Sequence, residues 1–408
     1  MNCRHCNTPL TNVFSDLQNS PPSNAFLKVE QLNEPETYFP LKIYSCDNCH
    51  LVQVDEYKSA QEIFDGEYFY FSSFSKSWLK HAKTYCDMMV DRFGFDSSSS
   101  IIEIASNDGY LLQYFHEKGI PVMGIDPTAN TAQVAIDKGI NTLVKYFSVE
   151  TAKEVKSEGK FADLILGNNV LAHVPDINDF VQGMQLLLSK KGVITMEFPH
   201  LYQLVKFNQF DTIYHEHFSY LSFTSVKTIF ESVGLEIFDV EELPTHGGSL
   251  RIFAKHKTDA TKTISDNVQI LLDKEENAGM KNESYYKDFQ LKCDAIKIDF
   301  LDFLIQAQKE GKKIAGYGAA AKGNTLLNYC GIKKDMISYV VDASPHKQNT
   351  YLPGSHIPVV HEGVLKADQP DYIIIFPWNL TKEIVAQLDY ARTWGAKFVI
   401  AIPEVKVL

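Results

Sequence analysis

From Ile101 onward the chain alternates short apolar runs with stretches of helical periodicity, and it does so twice. Ile101–Ile104, Val122–Ile125, Leu164–Leu166 and Val193–Met196 read as strands, separated by helical patterns such as 111–118 and 177–188. After a charged, helical stretch that runs from Ala254 to about Gln308, the alternation resumes with Lys313–Tyr317, Ile337–Val341, Tyr372–Phe376 and Lys397–Ile402. Strands spaced by helices cannot pair as hairpins and instead build mostly parallel sheets. The expected fold class is therefore α/β, with a central Rossmann-like domain and a second, smaller Rossmann-like domain at the C-terminus. A length of 408 residues suits such a division, because single cores stop growing near 250–300 residues.

The segment before this alternation is of another kind. Cys3-x-x-Cys6 and Cys46-x-x-Cys49 are two tight knuckles in a region rich in turn formers. Four thiolates on two turns supply the tetrahedral soft-ligand set of a structural zinc site, and the same ligands would also suit an iron–sulfur cluster. His5 and His50 flank the knuckles but are not needed as ligands, since four cysteines fill the shell. Cys86, Cys293 and Cys330 are scattered and read as small buried apolar residues. The expected division is a zinc lobe with an adjoining strip over 1–75, a central domain over 76–255, and linker helices with the second α/β domain over 256–408.

A net charge of −12 argues against a nucleic-acid footprint or an anionic membrane surface and leaves small molecules as the expected partners. No run of 18 apolar residues occurs, and the chain opens on polar residues, so a cytoplasmic location is expected, as monomer or dimer.

The turn after the first strand, E-I-A-S-N-D-G over 103–109, carries small residues where a backbone can approach a ligand: Ala105, Asn107 and Gly109. A dinucleotide fingerprint needs three spaced glycines there, and only Gly109 is present. Glu103 ends this strand, and Asp126 ends the next, where α/β nucleotide folds place the acidic partner of a ribose diol. Asn168 and His173, in N-N-V-L-A-H-V-P-D over 168–176, fall at the carboxyl edge of the third strand; His173 suits either a capping or a site role. Adenosine binding is the expectation.

Tyr214-His215-Glu216-His217 gathers proton-handling groups in one turn, with histidines two apart rather than the four apart of a zinc-protease helix. A neutral histidine held in one tautomer is what a general base requires. Further on, His246 and Arg251 bracket a glycine pair, and Arg251 could meet an anion. G-Y-G-A-A-A-K-G over 316–323 follows a strand and opens a helix, an arrangement that meets phosphate; with Lys322 in its first turn and Asp342 ending the next strand, it suits a nucleoside diphosphate or, alternatively, a nicotinamide dinucleotide.

These strings together, with F-D-T-I-Y-H-E-H over 210–217, T-H-G-G-S-L-R over 245–251 and V-D-A-S-P-H-K-Q over 341–348, resemble the nucleotide-sugar C-methyltransferase family along nearly the whole chain. The resemblance implies S-adenosylmethionine as methyl donor, structural zinc, and C-methylation at carbon 3 of a nucleotide-linked 4-keto-deoxyhexose, the alternatives being O- or N-methylation of a nucleotide sugar or a nucleotide-sugar oxidoreductase that uses the C-terminal glycine-rich turn. It implies that His217 removes the carbon-3 proton, that Tyr214 or His215 donates toward the enolate oxygen, and that Glu216 orients His217 or holds a sugar hydroxyl. It further implies that Tyr70, in the strip that holds Tyr68, Ser72 and Ser75, touches the acceptor, and that Trp378 meets the nucleobase.

Overall fold

The computed structural model describes residues 1–57 and 71–408. Seven strands form the central sheet in the order Leu235–Leu243, Ser249–His256, Leu188–Pro199, Ala162–Asn168, Ile101–Ile104, Val122–Ile125, Thr142–Leu143. Leu188–Pro199 and the four strands beyond it run parallel, whereas Ser249–His256 is antiparallel to both of its neighbours. Ile101–Ile104 is buried along its whole length, as a central parallel strand covered on both faces must be.

The helices that cover this sheet begin and end where their sequences direct. Lys76–Phe93 starts after Ser75, whose hydroxyl accepts the Trp78 amide, and stops at Gly94, which takes the left-handed conformation with φ of 70°. Ser75, expected in the acceptor strip, is thus a helix cap. Ile177–Leu187 is capped in the same way by Asp176.

A second sheet carries the strands Val359–Val360, Val340–Val341, Ile314–Tyr317, Tyr372–Ile375, Lys397–Ile400 and Lys406–Val407, the first five parallel. Two helices, Asp266–Asn277 and Phe289–Lys309, join the sheets. The first is anchored by Glu275, which is fully buried and accepts the amides of Phe223 and Thr224 at the start of helix Phe223–Ser232. It thereby satisfies donors that a helix N-terminus leaves open.

The N-terminal lobe is a four-stranded sheet of Asn12–Ser20, Phe39–Ser45, Val52–Val54 and Ser219–Tyr220. Its last strand comes from the residues just after the Tyr214–His217 turn, so the lobe is stitched to that turn by the Val52–Tyr220 pairing. Among the described residues no helix is long and apolar enough to cross a membrane.

Candidate methyl-donor site and catalytic cleft

The two cysteine knuckles have the same backbone geometry. Asn7 N–H donates to Cys3 O (2.9 Å) and His50 N–H to Cys46 O (3.0 Å), and Asn7 and His50 both take positive φ, 60° and 59°. The four sulfurs lie within 4.8 Å of one another, with Cys3, Cys46 and Cys49 buried. Gln53 Nε2 donates to Cys3 Sγ (3.2 Å), as it would to a thiolate ligand. His5 is occupied elsewhere, its Nδ1 lying 2.7 Å from Asn178 Oδ1. Mutually facing, partly shielded sulfurs with no disulfide among them fit a zinc ion.

At the carboxyl edge of the central sheet, Ala105, Asn107 and Gly109 take φ of 58°, 49° and 74°. This turn coils the backbone beneath the strand ends. A Cβ on Gly109 would come within 2.5 Å of Ile140 Cδ1, so only glycine fits without displacement. Asp126 is buried; its Oδ2 accepts the Asn107 amide (2.8 Å) and its Oδ1 the Thr128 amide (2.9 Å). Glu103 is fully buried, and burial, followed by the charges of Asp126 and Asp108, raises its carboxyl well above the usual range. Asn168 Nδ2 donates to the Tyr110 hydroxyl (3.3 Å). Around the turn, Ser106 Oγ, Asp108 Oδ1 and Asn169 Oδ1 are buried without a hydrogen-bond partner among the described residues. A cradle with two strand-end carboxylates and unmet polar atoms fits a polar ligand such as S-adenosylmethionine.

Ser72, expected to reach the acceptor, belongs to this cradle instead: its amide donates to Asn107 Oδ1 (2.9 Å), while that of Ser73 donates to Asp108 Oδ2 (3.2 Å). Tyr68 and Tyr70 lie outside the described residues.

The four residues of the Tyr214–His217 turn divide by side. Tyr214 and His217 are half-buried and lie together, whereas His215 and Glu216 are buried and point away from them. His217 Nδ1 is 2.9 Å from Thr212 O, and because a carbonyl only accepts, Nδ1 carries the proton. Nε2 then accepts the Tyr214 hydroxyl at 2.8 Å. His173 stands edge-on to His217 with ring centroids 4.6 Å apart. Removal from water, then His173, lowers His217 well below its usual value, so the ring is neutral and basic at Nε2.

Three expectations are corrected here. The tautomer of His217 is set by a backbone carbonyl rather than by Glu216, whose two oxygens both accept from Asn24 Nδ2 (2.9 and 2.8 Å). His215 turns toward the N-terminal lobe, with Nε2 3.2 Å from Pro40 O and its ring against Phe39, so it is not the partner of an enolate oxygen. Arg251 is not free for an anion: it is buried and pairs with Glu197 (2.8 Å) and Glu241 (3.0 Å), part of a network in which His81 and Thr245 also bond Glu197.

The second α/β domain closes the cleft. His246 Nε2 accepts Asn169 Nδ2 (2.8 Å), and burial lowers this ring to about 4. Beside it, a Cβ on Gly247 would fall 2.4 Å from the Trp378 indole, which shows how closely the two domains approach. Lys322 Nζ sits 4.6 Å over that indole and donates to Asn379 Oδ1 (2.8 Å). Trp378 Nε1 donates to Asp211 Oδ2 (2.7 Å), so the indole N–H expected to meet a base is already committed. Asp342 closes the glycine-rich turn, accepting the amides of Ala319 (2.7 Å) and Ser344 (2.8 Å). Lys322, at the start of the helix that follows this turn, contributes positive charge to the environments of both His217 and His246.

Sequence reasoning missed Asn24, Asn169 and Asp211. Asn24 follows Ser20-Pro-Pro-Ser23, a turn signal that could have marked it, and Asp211 lies three residues before the Tyr214–His217 turn, within the string 210–217 already singled out.

Comparison with known proteins agrees with this geometry. A C-methyltransferase C-terminal domain matches residues 244–403, a methyltransferase domain 78–240, and a zinc binding domain 3–64. C-methyltransferase NovU of Streptomyces niveus is 35% identical over 373 residues, covering 91% of this chain and 88% of NovU. A ubiquinone biosynthesis O-methyltransferase of Bartonella tribocorum is 30% identical over 95 residues, 23% of this chain and 38% of that protein. Among solved structures, a SAM-dependent methyltransferase from Anabaena variabilis is 18% identical with a TM-score of 0.35, covering 42% of this chain and 83% of its own. Since a full-length relative and three successive domain matches agree with the donor cradle and the cysteine cluster, the chain belongs to the C-methyltransferase family and is an S-adenosylmethionine-dependent enzyme with a zinc-binding lobe.

Proposed function

We propose that this enzyme methylates carbon 3 of a nucleotide-linked 4-keto-deoxyhexose. The observation that carries the reading is the Tyr214–His217 pair, a neutral imidazole with its basic nitrogen and a phenol at one cleft shared by both α/β domains. Carbon becomes a nucleophile only after losing a proton next to a carbonyl, and a positioned base contributes about 10²–10⁴-fold to such a step.

His217 Nε2 takes the carbon-3 proton, and the bonding pair moves onto the carbon-4 oxygen. Because Nε2 has a single lone pair, the Tyr214 hydroxyl leaves it before this transfer and donates instead to the carbon-4 oxygen, where it stabilises the enolate, and Lys322 adds positive charge at the same side. S-adenosylmethionine, when bound over Glu103, Ala105, Asn107, Gly109, Asp126 and Asn168, supplies a methyl group on a positively charged sulfur. His173 packs on His217 and limits the orientations open to it. His246 lines the acceptor's surroundings; Lys322 and Asp342 hold the nucleotide, and Trp378 forms the wall on which its base rests.

A second assignment of roles is favoured by the 2.8 Å Tyr214–His217 bond itself, with Tyr214 as the immediate base and His217 receiving its proton. Deuterium exchange at carbon 3 without donor separates the two: it persists in Tyr214→Phe if His217 is the base and vanishes if Tyr214 is. The function is tested by carbon-13 NMR with methyl-labelled S-adenosylmethionine and a panel of 4-keto-6-deoxyhexose nucleotides. A new carbon-bound methyl signal is the expected result; an oxygen-bound one would overturn the enolate chemistry.

A further inference from the structure

The backbone that orients His217 is held by the other domain. Residues Phe210–Thr212 form a short turn whose last carbonyl, Thr212 O, accepts the Nδ1–H of His217. Three groups of the C-terminal domain grip this turn and the residue after it. Trp378 Nε1 donates to Asp211 Oδ2 (2.7 Å), Thr325 Oγ1 donates to Ile213 O (2.9 Å), and the Phe210 ring packs edge-on to Tyr329 with centroids 5.4 Å apart. Thr325 and Tyr329 belong to helix Ala321–Cys330, whose first turn carries Lys322.

Asp211 is the polar centre of this grip. It is fully buried, and its second oxygen, Oδ1, has no hydrogen-bond partner among the described residues. A carboxylate is a costly group to bury, and a hydrophobic residue would pack such a turn without that cost. What a carboxylate adds is a directed bond to the Trp378 indole together with attraction to Lys322, which opposes the rise in its pKa that burial causes. Its chain neighbour Thr212 then offers its carbonyl in one direction.

We propose that Asp211 is a positioning residue: by fastening the Trp378 wall of the acceptor domain to the Phe210–Thr212 turn, it holds the Thr212 carbonyl where it keeps His217 protonated at Nδ1 and basic at Nε2. The role goes beyond the assignment of His217 as base, and its kinetic consequence rests on that assignment. The acceptor's binding domain and the catalytic imidazole are in this way one mechanical unit, so a nucleotide sugar seated against Lys322 is automatically in register with the base.

The test combines a spectroscopic signature with kinetics. In nitrogen-15-labelled full-length protein, the His217 Nδ1–H proton is sheltered by its carbonyl bond and gives a slowly exchanging signal, assigned by its loss in His217→Asn. Asp211→Ala is expected to abolish or broaden that signal, and Asp211→Asn, which keeps an oxygen for the indole, to retain it. Trp378→Phe, which removes the donor, should lose the signal as Asp211→Ala does, and it supplies the answer if Asp211→Ala does not fold. On the acceptor found by the methyl-transfer assay, Asp211→Ala should lower kcat on the order of 10²-fold with the KM for S-adenosylmethionine unchanged, the scale expected when a catalytic group is slightly misplaced. An unaltered signal in either Asp211→Ala or Trp378→Phe, or equal loss in Asp211→Asn and Asp211→Ala, would overturn the proposal. Because the signal is read without acceptor, failure of the C-methylation reading leaves this arm intact and is seen separately, as absence of transfer by the unsubstituted enzyme.

Discussion

Glu275, from the helix that links the two α/β domains, meets the buried Nε2 of His200 at 2.7 Å while its other oxygen caps helix Phe223–Ser232. Burial alone would raise this carboxyl, but the His200 ring and the Thr224 groups outweigh it and hold it below the usual carboxylate range. Glu275→Ala leaves a buried imidazole and two helix amides without partners and is expected to cost about 3–5 kcal/mol, the scale for breaking a buried pair. Chemical denaturation measures it. For a carboxyl whose folded value is depressed, the stabilisation is complete above the unfolded value near 4.3 and is lost as pH falls through the folded one. The gap between wild type and Glu275→Ala should therefore narrow only in acid, below about pH 4.

Removal of the metal should reach the Tyr214–His217 turn. Chelation, or Cys46→Ala, opens the lobe sheet, and that sheet includes Ser219–Tyr220, two residues beyond His217. The enzyme is expected to carry one zinc per chain by elemental analysis and to lose methyl transfer when stripped. Retained turnover in fully zinc-free protein would contradict this coupling.

His217→Asn should nearly abolish turnover while leaving S-adenosylmethionine affinity, read by calorimetry, within about twofold, because the contacts of His217 are with Thr212, Tyr214, His173 and Tyr220 rather than with the residues of the donor cradle.

The pH dependence should belong to a group other than His217. Its ring is lowered well below 6.5, so it remains neutral, and hence basic, throughout the range in which an ordinary histidine would gain a proton. Glu216, which burial raises to about 7 against its bonds to Asn24, ionises in that range instead. An inflection of kcat/KM near pH 7 that disappears in Glu216→Gln is the expected result; one that survives would shift the assignment.

Gly109→Ala forces a side chain onto a backbone with φ of 74° and into Ile140. Strain of about 1–3 kcal/mol at this turn should weaken S-adenosylmethionine binding by roughly tenfold or more.

Four strands of each α/β sheet and the cysteine site were legible because each rests on local pattern, whereas short edge strands such as Thr142–Leu143 and Val359–Val360 carry too little pattern to be read. Ile101–Ile104 and Val122–Ile125 are short, largely apolar runs, the first carrying Glu103 and the second followed by Asp126, and the knuckles are fixed by spacing alone. The direction in which a side chain leaves a turn is not local. Nothing in Y-H-E-H distinguishes the inward His215 and Glu216 from the cleft-facing Tyr214 and His217; that division comes from Pro40 and Asn24 of the distant lobe and from the Thr212 carbonyl. Arg251 misled for the same reason. A strand arginine reads as a ligand for anions until its partners, Glu197 and Glu241 on neighbouring strands, are placed beside it.

The pairing of Val52 with Tyr220 also sets an order on how the molecule is made. The lobe's first three strands leave the ribosome early, yet their fourth follows only after roughly 170 further residues, on the order of ten seconds at ordinary rates of synthesis. During that interval the edge of strand Val52–Val54 is unpaired, and an unpaired edge invites association with other chains. Early capture of zinc by the two knuckles would hold the incomplete sheet in shape until its last strand arrives, which gives the metal a task during biosynthesis in addition to its place in the finished enzyme.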